Sequence, residues 1–186
     1  MVKKSLGEGK ELEIVNIVAS TSLEQDIPLI KLAEKLPNTE YNPEQFPGLV
    51  MRIREPKTSA LIFGSGKVVS TGARSMAKLR ESIKQIVKNV EKIGIKITIQ
   101  PRVKVQNMVA SGKIGRDLNL NSLAMDLDNT EYEPEQFPGL VYKLAGTRAT
   151  FLLFSNGKIV CTGTRSETRL KEAVELLIKN LDDLKK

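Results

Sequence analysis

Hydrophobic and polar residues alternate over several short segments of this chain, which is the pattern of half-buried β-strands. The first such segment is rich in isoleucine and valine. The later ones follow turns that contain glycine or proline. In the first half of the chain the pattern predicts strands at 11–20, 49–54, 59–63 and 67–71.

Two segments have the apolar period of an amphipathic helix instead. Apolar residues recur every three or four positions over 79–93, after Ser75, and the same stripe returns over 170–184. A long helix is therefore predicted at the end of each half. A short helix with Asp26 as its N-cap is predicted to end before Pro37.

These elements occur twice because the sequence itself repeats. The segment FPGLV at 46–50 returns 91 residues later at 137–141, and residues 14–93 match residues 105–184 without a gap at 34 of 80 positions. Unrelated segments do not share so many residues. We therefore expect a flexible N-terminal arm at 1–10, a first half-domain at 11–95 and a second half-domain at 96–186.

Comparison of the two copies separates the two faces of the predicted sheet, because neighbouring strand residues point to opposite sides. Six pairs on one face are identical, whereas the five pairs on the other face all differ. A core tolerates such changes when its volume is kept, so the variable face is assigned to the helices. The identical face holds Asn16, Val18, Leu61, Phe63, Val69 and Thr71, with their partners Asn107, Val109, Leu152, Phe154, Val160 and Thr162.

The predicted architecture is α+β, with two long helices that cover one face of a shared antiparallel sheet. The identical face is partly apolar and has no predicted element to cover it. An exposed apolar surface of this kind is typical of a binding site. Burial in a sandwich or in a dimer would explain the same pattern, and the strand pattern alone leaves these explanations open.

The placement of phenylalanine favours a binding site. Four of the five phenylalanines form two pairs with the same spacing of 17 residues, Phe46 with Phe63 and Phe137 with Phe154. Each pair joins a turn residue to the end of a strand, so two rings should lie together at each end of the identical face. Apolar rings flanked by basic residues suit insertion between stacked bases.

The charge of the chain agrees with a polyanionic partner such as nucleic acid. There are 29 Lys and Arg residues against 22 Asp and Glu residues, and the net charge of +7 is spread over both halves. Eight basic residues occupy equivalent positions in the two copies and are candidates for phosphate contacts: Arg52, Lys57, Lys67, Arg74, Lys143, Arg148, Lys158 and Arg165.

Composition disfavours several other kinds of site. The chain has no histidine, the commonest general base and metal ligand. Its one cysteine, Cys161, cannot form an internal disulfide, and no apolar run is long enough for a transmembrane helix. We expect a soluble intracellular protein with no catalytic residues, no metal and no cofactor.

The segment 41–74 (YNPEQFPGLVMRIREPKTSALIFGSGKVVSTGAR), its second copy and the pair Asn16 and Val18 resemble the TATA-box-binding protein family in its archaeal form. The resemblance covers nearly the whole chain apart from the N-terminal arm. It implies a saddle whose curved sheet of about ten antiparallel strands lies in the DNA minor groove, with helices on its convex face. Kinking of DNA by inserted apolar side chains is a known property of that family.

The resemblance also implies roles for individual residues. The two phenylalanine pairs would act as wedges at the two ends of the DNA site. Asn16, Asn107, Thr71 and Thr162 would donate hydrogen bonds to adenine N3 and thymine O2 at its centre. The groove floor would be packed by Val18, Leu61, Val69, Val109, Leu152 and Val160.

The two copies differ most in their acidic residues. Residues 126–135 hold five acids and no base, whereas residues 35–44 hold two acids and one base. In the resembled family the loop of the second copy binds transcription factor B, so Glu133 and Glu135 are candidate contacts in an assembly with RNA polymerase. A solvated acidic loop is the alternative. The basic helix at 75–93 could meet an acidic regulator or upstream DNA.

The leading prediction is a general transcription factor that binds double-stranded A·T-rich promoter DNA. We expect it in the cytoplasm at the nucleoid, or in the nucleus if the source is eukaryotic. A module that binds a small ligand or a peptide on the apolar face is the main alternative. A binder of single-stranded RNA, with the rings as stacking platforms, is another.

Overall fold

The computed structural model describes residues 4–5 and 10–184, so most of the predicted arm at 1–10 lies outside the described residues. The strands are β1 Lys4–Ser5, β2 Glu11–Ser22, β3 Thr39–Glu40, β4 Leu49–Ile53, β5 Thr58–Ile62, β6 Lys67–Ala73, β7 Lys104–Lys113, β8 Thr130–Glu131, β9 Leu140–Lys143, β10 Thr150–Leu153 and β11 Lys158–Thr164. The helices are α1 Leu29–Lys35, α2 Met76–Glu91, α3 Leu120–Asp126 and α4 Glu167–Asp183.

The chain forms two compact units whose boundaries lie inside strands β2 and β7. The first-repeat unit is Asn16–Gln106, and the second-repeat unit is Asn107–Lys186 together with the chain up to Val15. The strand order is β3-β4-β5-β6-β2 in the first-repeat unit and β7-β11-β10-β9-β8 in the second-repeat unit. Neighbouring strands in these orders are antiparallel. The beginning of β2 therefore packs with the second repeat although it precedes the first.

The long helices begin where the sequence places them. Ser75 and Ser166 are their N-caps, and each serine hydroxyl accepts a hydrogen bond from the backbone N–H three residues later, at 3.1 Å and 3.2 Å. These bonds satisfy amide groups that the first turn leaves without a partner. The apolar stripes of α2 and α4 are buried against the sheets of their own units.

Two details of the predicted helices are wrong. Helix α1 has Pro28 as its N-cap and no side-chain cap, because the chain before it is still bound to the β5–β6 turn, where the Ile27 N–H donates to the Gly64 carbonyl at 2.8 Å. Asp26 therefore lies too early to cap the helix. Leu184, expected on the buried stripe, follows the end of α4 and is 39% exposed.

The helix-facing side of each sheet forms the core, as the comparison of the two copies predicts. In the first-repeat unit it holds Ile17, Ala60, Ile62, Val68 and Ser70, and in the second-repeat unit Met108, Phe151, Leu153, Ile159 and Cys161, all of them buried. The burial of Cys161 raises the pKa of its thiol to about 12, so the thiol stays protonated at neutral pH.

The two cores differ in polarity. In the first-repeat unit the buried hydroxyls of Thr58 and Ser82 lie 2.6 Å apart and share a hydrogen bond. The equivalent residues of the second-repeat unit are Ala149 and Ala173, which are also buried. The two hydroxyls of the first-repeat unit bond to each other, and the two alanines of the second-repeat unit have no polar side-chain atom. Neither arrangement leaves an unsatisfied polar side chain at these positions.

Among the residues that the structure describes, no helix has the length and apolarity needed to cross a membrane. The same part of the chain contains no group of three or more His, Cys, Asp or Glu side chains arranged to hold a metal ion.

The turn between β10 and β11 depends on a glycine. Gly157 has φ +75°, and a Cβ atom there would lie 2.1 Å from the backbone carbonyl oxygen of Arg116. Gly146 has a similar φ of +73°, but a Cβ atom at that position would have no neighbour within 4 Å. We expect Gly146→Ala to cost about 1 kcal/mol of unfolding free energy from backbone strain alone. Gly157→Ala should cost about 3 kcal/mol or more, because a main-chain oxygen cannot move aside.

Urea denaturation of the two variants measures this difference. Equal losses of unfolding free energy for Gly146→Ala and Gly157→Ala would contradict the steric explanation. The positive φ that the two positions share would then account for the whole loss.

Candidate nucleic-acid interface

In each unit the sheet face opposite the long helix, here called the open face, carries the identical residue pairs. All twelve residues predicted for this face are partly exposed, whereas their strand neighbours on the core side are buried. The division of the strands into two faces is therefore confirmed. What the open face can bind depends on the chemistry of its side chains.

A row of small and branched side chains crosses the strands of each open face. In the first-repeat unit Val50 pairs with Leu61, Leu61 with Val69 and Val69 with Ser20. The equivalent row of the second-repeat unit is Val141, Leu152, Val160 and Ser111. Sequence reasoning missed Val50 and Val141, although their identity in both copies and their place in β4 and β9 were available signals.

The asparagine and the threonine of each open face are held in a fixed orientation. The Asn16 Oδ1 atom accepts the Gly72 N–H at 2.7 Å, which turns the Asn16 Nδ2 group towards Thr71 Oγ1 at 3.2 Å. Since Nδ2 carries two hydrogens, one donor remains beyond the bond to Thr71. The structure thus presents a pre-oriented amide donor on an apolar surface.

The second-repeat unit repeats this arrangement. Asn107 Oδ1 accepts the Gly163 N–H at 2.8 Å, and Asn107 Nδ2 donates to Thr162 Oγ1 at 3.0 Å. Gly163 has φ +93° and lies at a register shift between β11 and β7. A bulge of this kind redirects main-chain groups out of the regular ladder. Sequence reasoning named the asparagine and the threonine but missed the glycine that orients them.

The phenylalanines form two close pairs, as their spacing predicts. The ring centroids of Phe46 and Phe63 lie 5.9 Å apart at an interplanar angle of 66°, and those of Phe137 and Phe154 lie 6.0 Å apart at 69°. These edge-to-face geometries are favourable for aromatic rings. Phe46 is 43% exposed and Phe137 is 41% exposed, which is unusual for rings of this size.

Each exposed ring rests on a glycine. A Cβ atom at Gly48 would lie 2.7 Å from the Phe46 ring and 3.1 Å from the Phe63 ring. Gly139 has the same relation to Phe137 and Phe154, at 2.7 Å and 3.1 Å. Glycine in the FPGLV segment therefore serves ring packing, in addition to the turn that the sequence suggests.

All eight basic residues proposed for phosphate contacts are exposed, and Arg52 and Lys143 are in ion pairs with carboxylates of their own units. Arg52 contacts Glu40 at 3.2 Å, and Lys143 contacts Glu131 at 3.1 Å. Exposed pairs of this kind are weak, so a phosphate group can compete for the cation. Register places both cations on the open face, level with Thr71 and Thr162: Arg52 pairs with Ser59 and Ser59 with Thr71, while Lys143 pairs with Thr150 and Thr150 with Thr162.

The acidic segment of the second repeat is tied to the exposed ring that follows it. The Glu133 carbonyl accepts the backbone N–H groups of Gln136 at 2.9 Å and Phe137 at 3.0 Å. The side chains of Glu133 and Glu135 are exposed. The arrangement places acidic groups next to the Phe137 end of the open face.

The basic helix α2 presents its cations to solvent on the side away from the sheet. Lys78 donates to Glu55 at 2.8 Å, and this hydrogen bond, with the charge of the carboxylate, raises the pKa of the lysine. The Lys78 ammonium is fully exposed, so the pair contributes little to stability.

Comparisons with known proteins identify the family of both repeats. A family model described as "Transcription factor TFIID (or TATA-binding protein, TBP)" matches residues 11–93 and 102–184. The chain is 49% identical over 176 residues to the TATA-box-binding protein of Archaeoglobus fulgidus, which covers 94% of this chain and 96% of that protein. It is 48% identical over 172 residues to the TATA-box-binding protein of Thermococcus kodakarensis, covering 92% and 90%.

A solved structure agrees with these matches. The structure described as Methanococcus jannaschii TBP superposes with a TM-score of 0.87 at 45% identity, covering 92% of this chain and 98% of that chain. The match confirms the predicted fold class.

The contact between paired rings can be measured without a ligand. A double-mutant cycle with Phe46→Leu and Phe63→Leu should give a coupling of about 0.5–1.5 kcal/mol in unfolding free energy, the usual value for an edge-to-face pair. Phe137→Leu with Phe154→Leu should give the same coupling, because the geometry is the same. Phe46→Leu with Thr71→Val is the control, since these residues lie at opposite ends of the open face and should be additive. Additivity of the Phe46 and Phe63 changes in urea denaturation would contradict the ring contact.

Proposed function

This chain belongs to the TATA-binding protein family, and from that premise we propose that it binds the minor groove of A·T-rich promoter elements, bends the DNA and recruits transcription factor B and RNA polymerase. Membership makes it a DNA-binding transcription factor of the initiation machinery and not an enzyme. The groove, the bend and the partners are the parts that we propose. The observation that carries the proposal is the twin arrangement of Asn, Thr and Gly on a partly exposed apolar face.

The chemistry of this arrangement fits the minor groove of A·T pairs. That groove offers only the acceptors adenine N3 and thymine O2, while a G·C pair adds the amino group of guanine. The amide donors of Asn16 and Asn107, oriented by Gly72 and Gly163, can meet such acceptors. The valine and leucine row beside them offers no acceptor for a guanine amino group, so a G·C pair would leave that group buried and unpaired.

The phenylalanine pairs suit the role of wedges at the two ends of the site. An inserted side chain must be apolar, exposed before binding and rigidly supported, because unstacking a base step costs a few kcal/mol. Phe46 and Phe137 are exposed, and each is supported by its ring partner and by a glycine main chain. We assign Phe63 and Phe154 to the same wedges. Flexible TA steps lower the cost of the kink.

The basic residues would neutralise phosphates along the bent duplex. Eight contacts correspond to a salt slope of about −7, at roughly −0.9 for each phosphate. Arg52 and Lys143 would first have to leave Glu40 and Glu131. The slope for eight contacts is therefore a ceiling.

Binding of A·T-rich DNA separates this proposal from the alternatives. The measurement compares an A·T-rich duplex, a G·C-rich duplex and a single strand at one salt concentration, with fluorescent labels at both ends of the duplex to report the bend. We expect preference for the A·T-rich duplex together with a bend. A ligand or peptide module would bind none of the three well, and a single-strand binder would prefer the third.

Removal of one wedge ring should affect the bend more than the contact with phosphates. We expect Phe154→Ala to reduce the end-to-end transfer signal of the bent A·T-rich complex and to weaken that complex about tenfold or more, with little change in non-specific binding. Leu176→Ala removes a partly exposed apolar side chain from α4, on the far side of the sheet, and is the control. Equal losses of bending and of non-specific binding for Phe154→Ala tell against the wedge role.

The acidic segment offers a direct test of the partner. We expect Glu133→Gln with Glu135→Gln to weaken the binding of transcription factor B to the DNA complex about tenfold, with no loss of DNA binding, because these exposed carboxylates would face a basic partner surface. Glu44→Gln changes the residue equivalent to Glu135 in the first repeat and is the matched control. If both variants bind transcription factor B as the parent does, the segment is only a solvated loop.

A further inference from the structure

The second ring of each proposed wedge lies in a tight hairpin turn. In the second-repeat unit Phe154 directly follows β10; its N–H donates to the Lys158 carbonyl at 3.0 Å, and its carbonyl accepts the Gly157 N–H at 2.9 Å. The equivalent residues of the first-repeat unit, at the turn that begins with Phe63, make the same two bonds, both at 2.9 Å. The position of each ring therefore depends on what holds its turn.

The turn of the second-repeat unit is held by residues 114–118, which follow β7 and are here called the second brace. The N–H groups of Ile114 and Leu118 donate to carbonyl groups of the turn at 3.0 Å and 2.8 Å. Arg116 lies between these two bonds, and a Cβ atom at Gly157 would be 2.1 Å from its carbonyl oxygen. The turn that carries Phe154 thus rests on the main chain of Arg116.

Residues 23–27, here called the first brace, hold the other turn in the same way. The N–H groups of Leu23 and Ile27 donate to the Gly66 and Gly64 carbonyls, both at 2.8 Å. The central residue is Gln25, and a Cβ atom at Gly66 would be 2.2 Å from its carbonyl oxygen. The main-chain support of the two turns is therefore the same.

The side chains of the two central brace residues are anchored by different chemistry. Arg116 Nη1 donates to Asp182 Oδ1 near the end of α4, and the arginine side chain is 26% exposed. Gln25 Nε2 donates to the Lys96 carbonyl at 3.2 Å, a bond between neutral groups. The first repeat also has an acid, Glu91, at the position equivalent to Asp182. What differs is the charge on the brace residue itself.

We propose that Arg116 is a positioning residue for the Phe154 ring, because its ion pair with Asp182 ties the second brace, and through it the turn, to helix α4. The inference rests on the proposed wedge role of Phe154. Helix α4 is fixed to the core by buried residues such as Leu177 and Leu181. A load on the ring therefore passes through the turn and the brace to the helix.

The two wedges then differ in their response to salt. Salt screens the attraction between the partly exposed Arg116 and Asp182 side chains. A hydrogen bond between a neutral amide and a carbonyl, as at Gln25, has no net charges to screen. Raised ionic strength therefore loosens the turn of Phe154 and leaves the turn of Phe63 as it is.

Native-state hydrogen exchange of the full-length protein, followed by NMR without DNA, measures how firmly each turn is held. The N–H groups of Phe154 and Gly157 are compared with those of Phe63 and Gly66 at about 0.01 M and about 1 M salt, where the screening length is about 30 Å and about 3 Å. We expect raised salt to lower the protection of the first two groups about two- to fivefold and to leave the other two unchanged. Equal responses of the two turns contradict the ionic anchor.

Substitution of either partner should have the effect of high salt. Arg116→Gln and Asp182→Asn should each lower the protection of the Phe154 N–H about two- to fivefold at low salt. The double variant should lose no more than either single one, because both changes remove the same contact. Arg116→Lys keeps the charge and should retain the protection. Glu175→Gln removes an exposed acid elsewhere on α4 and is the matched control.

The reverse change should transfer the property to the first repeat. Gln25→Arg gives the first brace an arginine, with Glu91 at the position that Asp182 has in the second repeat. We expect the protection of the Phe63 and Gly66 N–H groups to become dependent on salt in this variant, by about two- to fivefold. A response to salt that stays confined to the Phe154 turn tells against the ion pair as its cause.

Bending of an end-labelled A·T-rich duplex tests the consequence for the wedge. Arg116→Gln and Asp182→Asn should both lower the transfer signal of the bent complex, in the direction expected for Phe154→Ala, and weaken that complex about two- to fivefold. The two changes shift the net charge in opposite directions. If Arg116 instead contacted a phosphate directly, Asp182→Asn would strengthen binding, since a competing carboxylate is removed. Stronger binding of that variant therefore overturns the positioning role.

The outcomes separate the two proposals. If the parent protein prefers and bends A·T-rich DNA, and both variants bend it equally well, the positioning role is overturned and the proposed function stands. If the parent protein does not bend A·T-rich DNA, the proposed function fails, and the role of Arg116 at a wedge fails with it, whatever the exchange data show. If circular dichroism shows that a variant does not fold, the response of the parent protein to salt decides the matter alone.

Discussion

The structure depends on one constraint: each sheet has a long helix on one face only. Burial of the apolar stripes of α2 and α4 against the core side of the sheets makes the main favourable contribution to the free energy of folding. The main-chain N–H and C=O groups of the strands are satisfied by hydrogen bonds between neighbouring strands, in the plane of the sheet. Neither face therefore needs a further element to satisfy them. The open face is therefore free to carry residues chosen for contact with something outside the unit. This division explains why the residues of the open face are the same in both repeats while those of the core are not. Thr58 is replaced by Ala149 and Ser70 by Cys161 at the equivalent core positions.

Much of this could be predicted from the sequence because two copies of one pattern were available. Alternation assigned Leu61 and Ile62 to opposite faces, and the fixed spacing of Phe46 and Phe63 predicted a ring pair; burial and ring geometry confirm both. The period of apolar residues along a strand or helix shows which of its faces is buried, and both copies of the sequence keep the same period. The family resemblance then supplied a function that alternation alone had left open between several binding roles.

The rest depends on contacts between residues far apart in sequence, which no local pattern records. The bond from the Gly72 N–H to Asn16 Oδ1 spans 56 residues and needs a bulge that alternation does not predict. Pairing of Arg52 with Glu40 depends on strand register. The false N-cap at Asp26 arose because composition shows a good capping residue but not the earlier hydrogen bonds that keep the chain extended as far as Ile27.

The glycine beneath each exposed ring has a mechanical consequence. Because Gly48 has no side chain, the Phe46 ring lies directly against the main chain at the start of β4. A force on the ring is transmitted to the hydrogen-bonded strand and not to a flexible side chain that could yield. In the proposed DNA complex, base pairs pressed against such a ring would therefore meet the hydrogen-bonded sheet as their support, and the deformation would fall on the DNA.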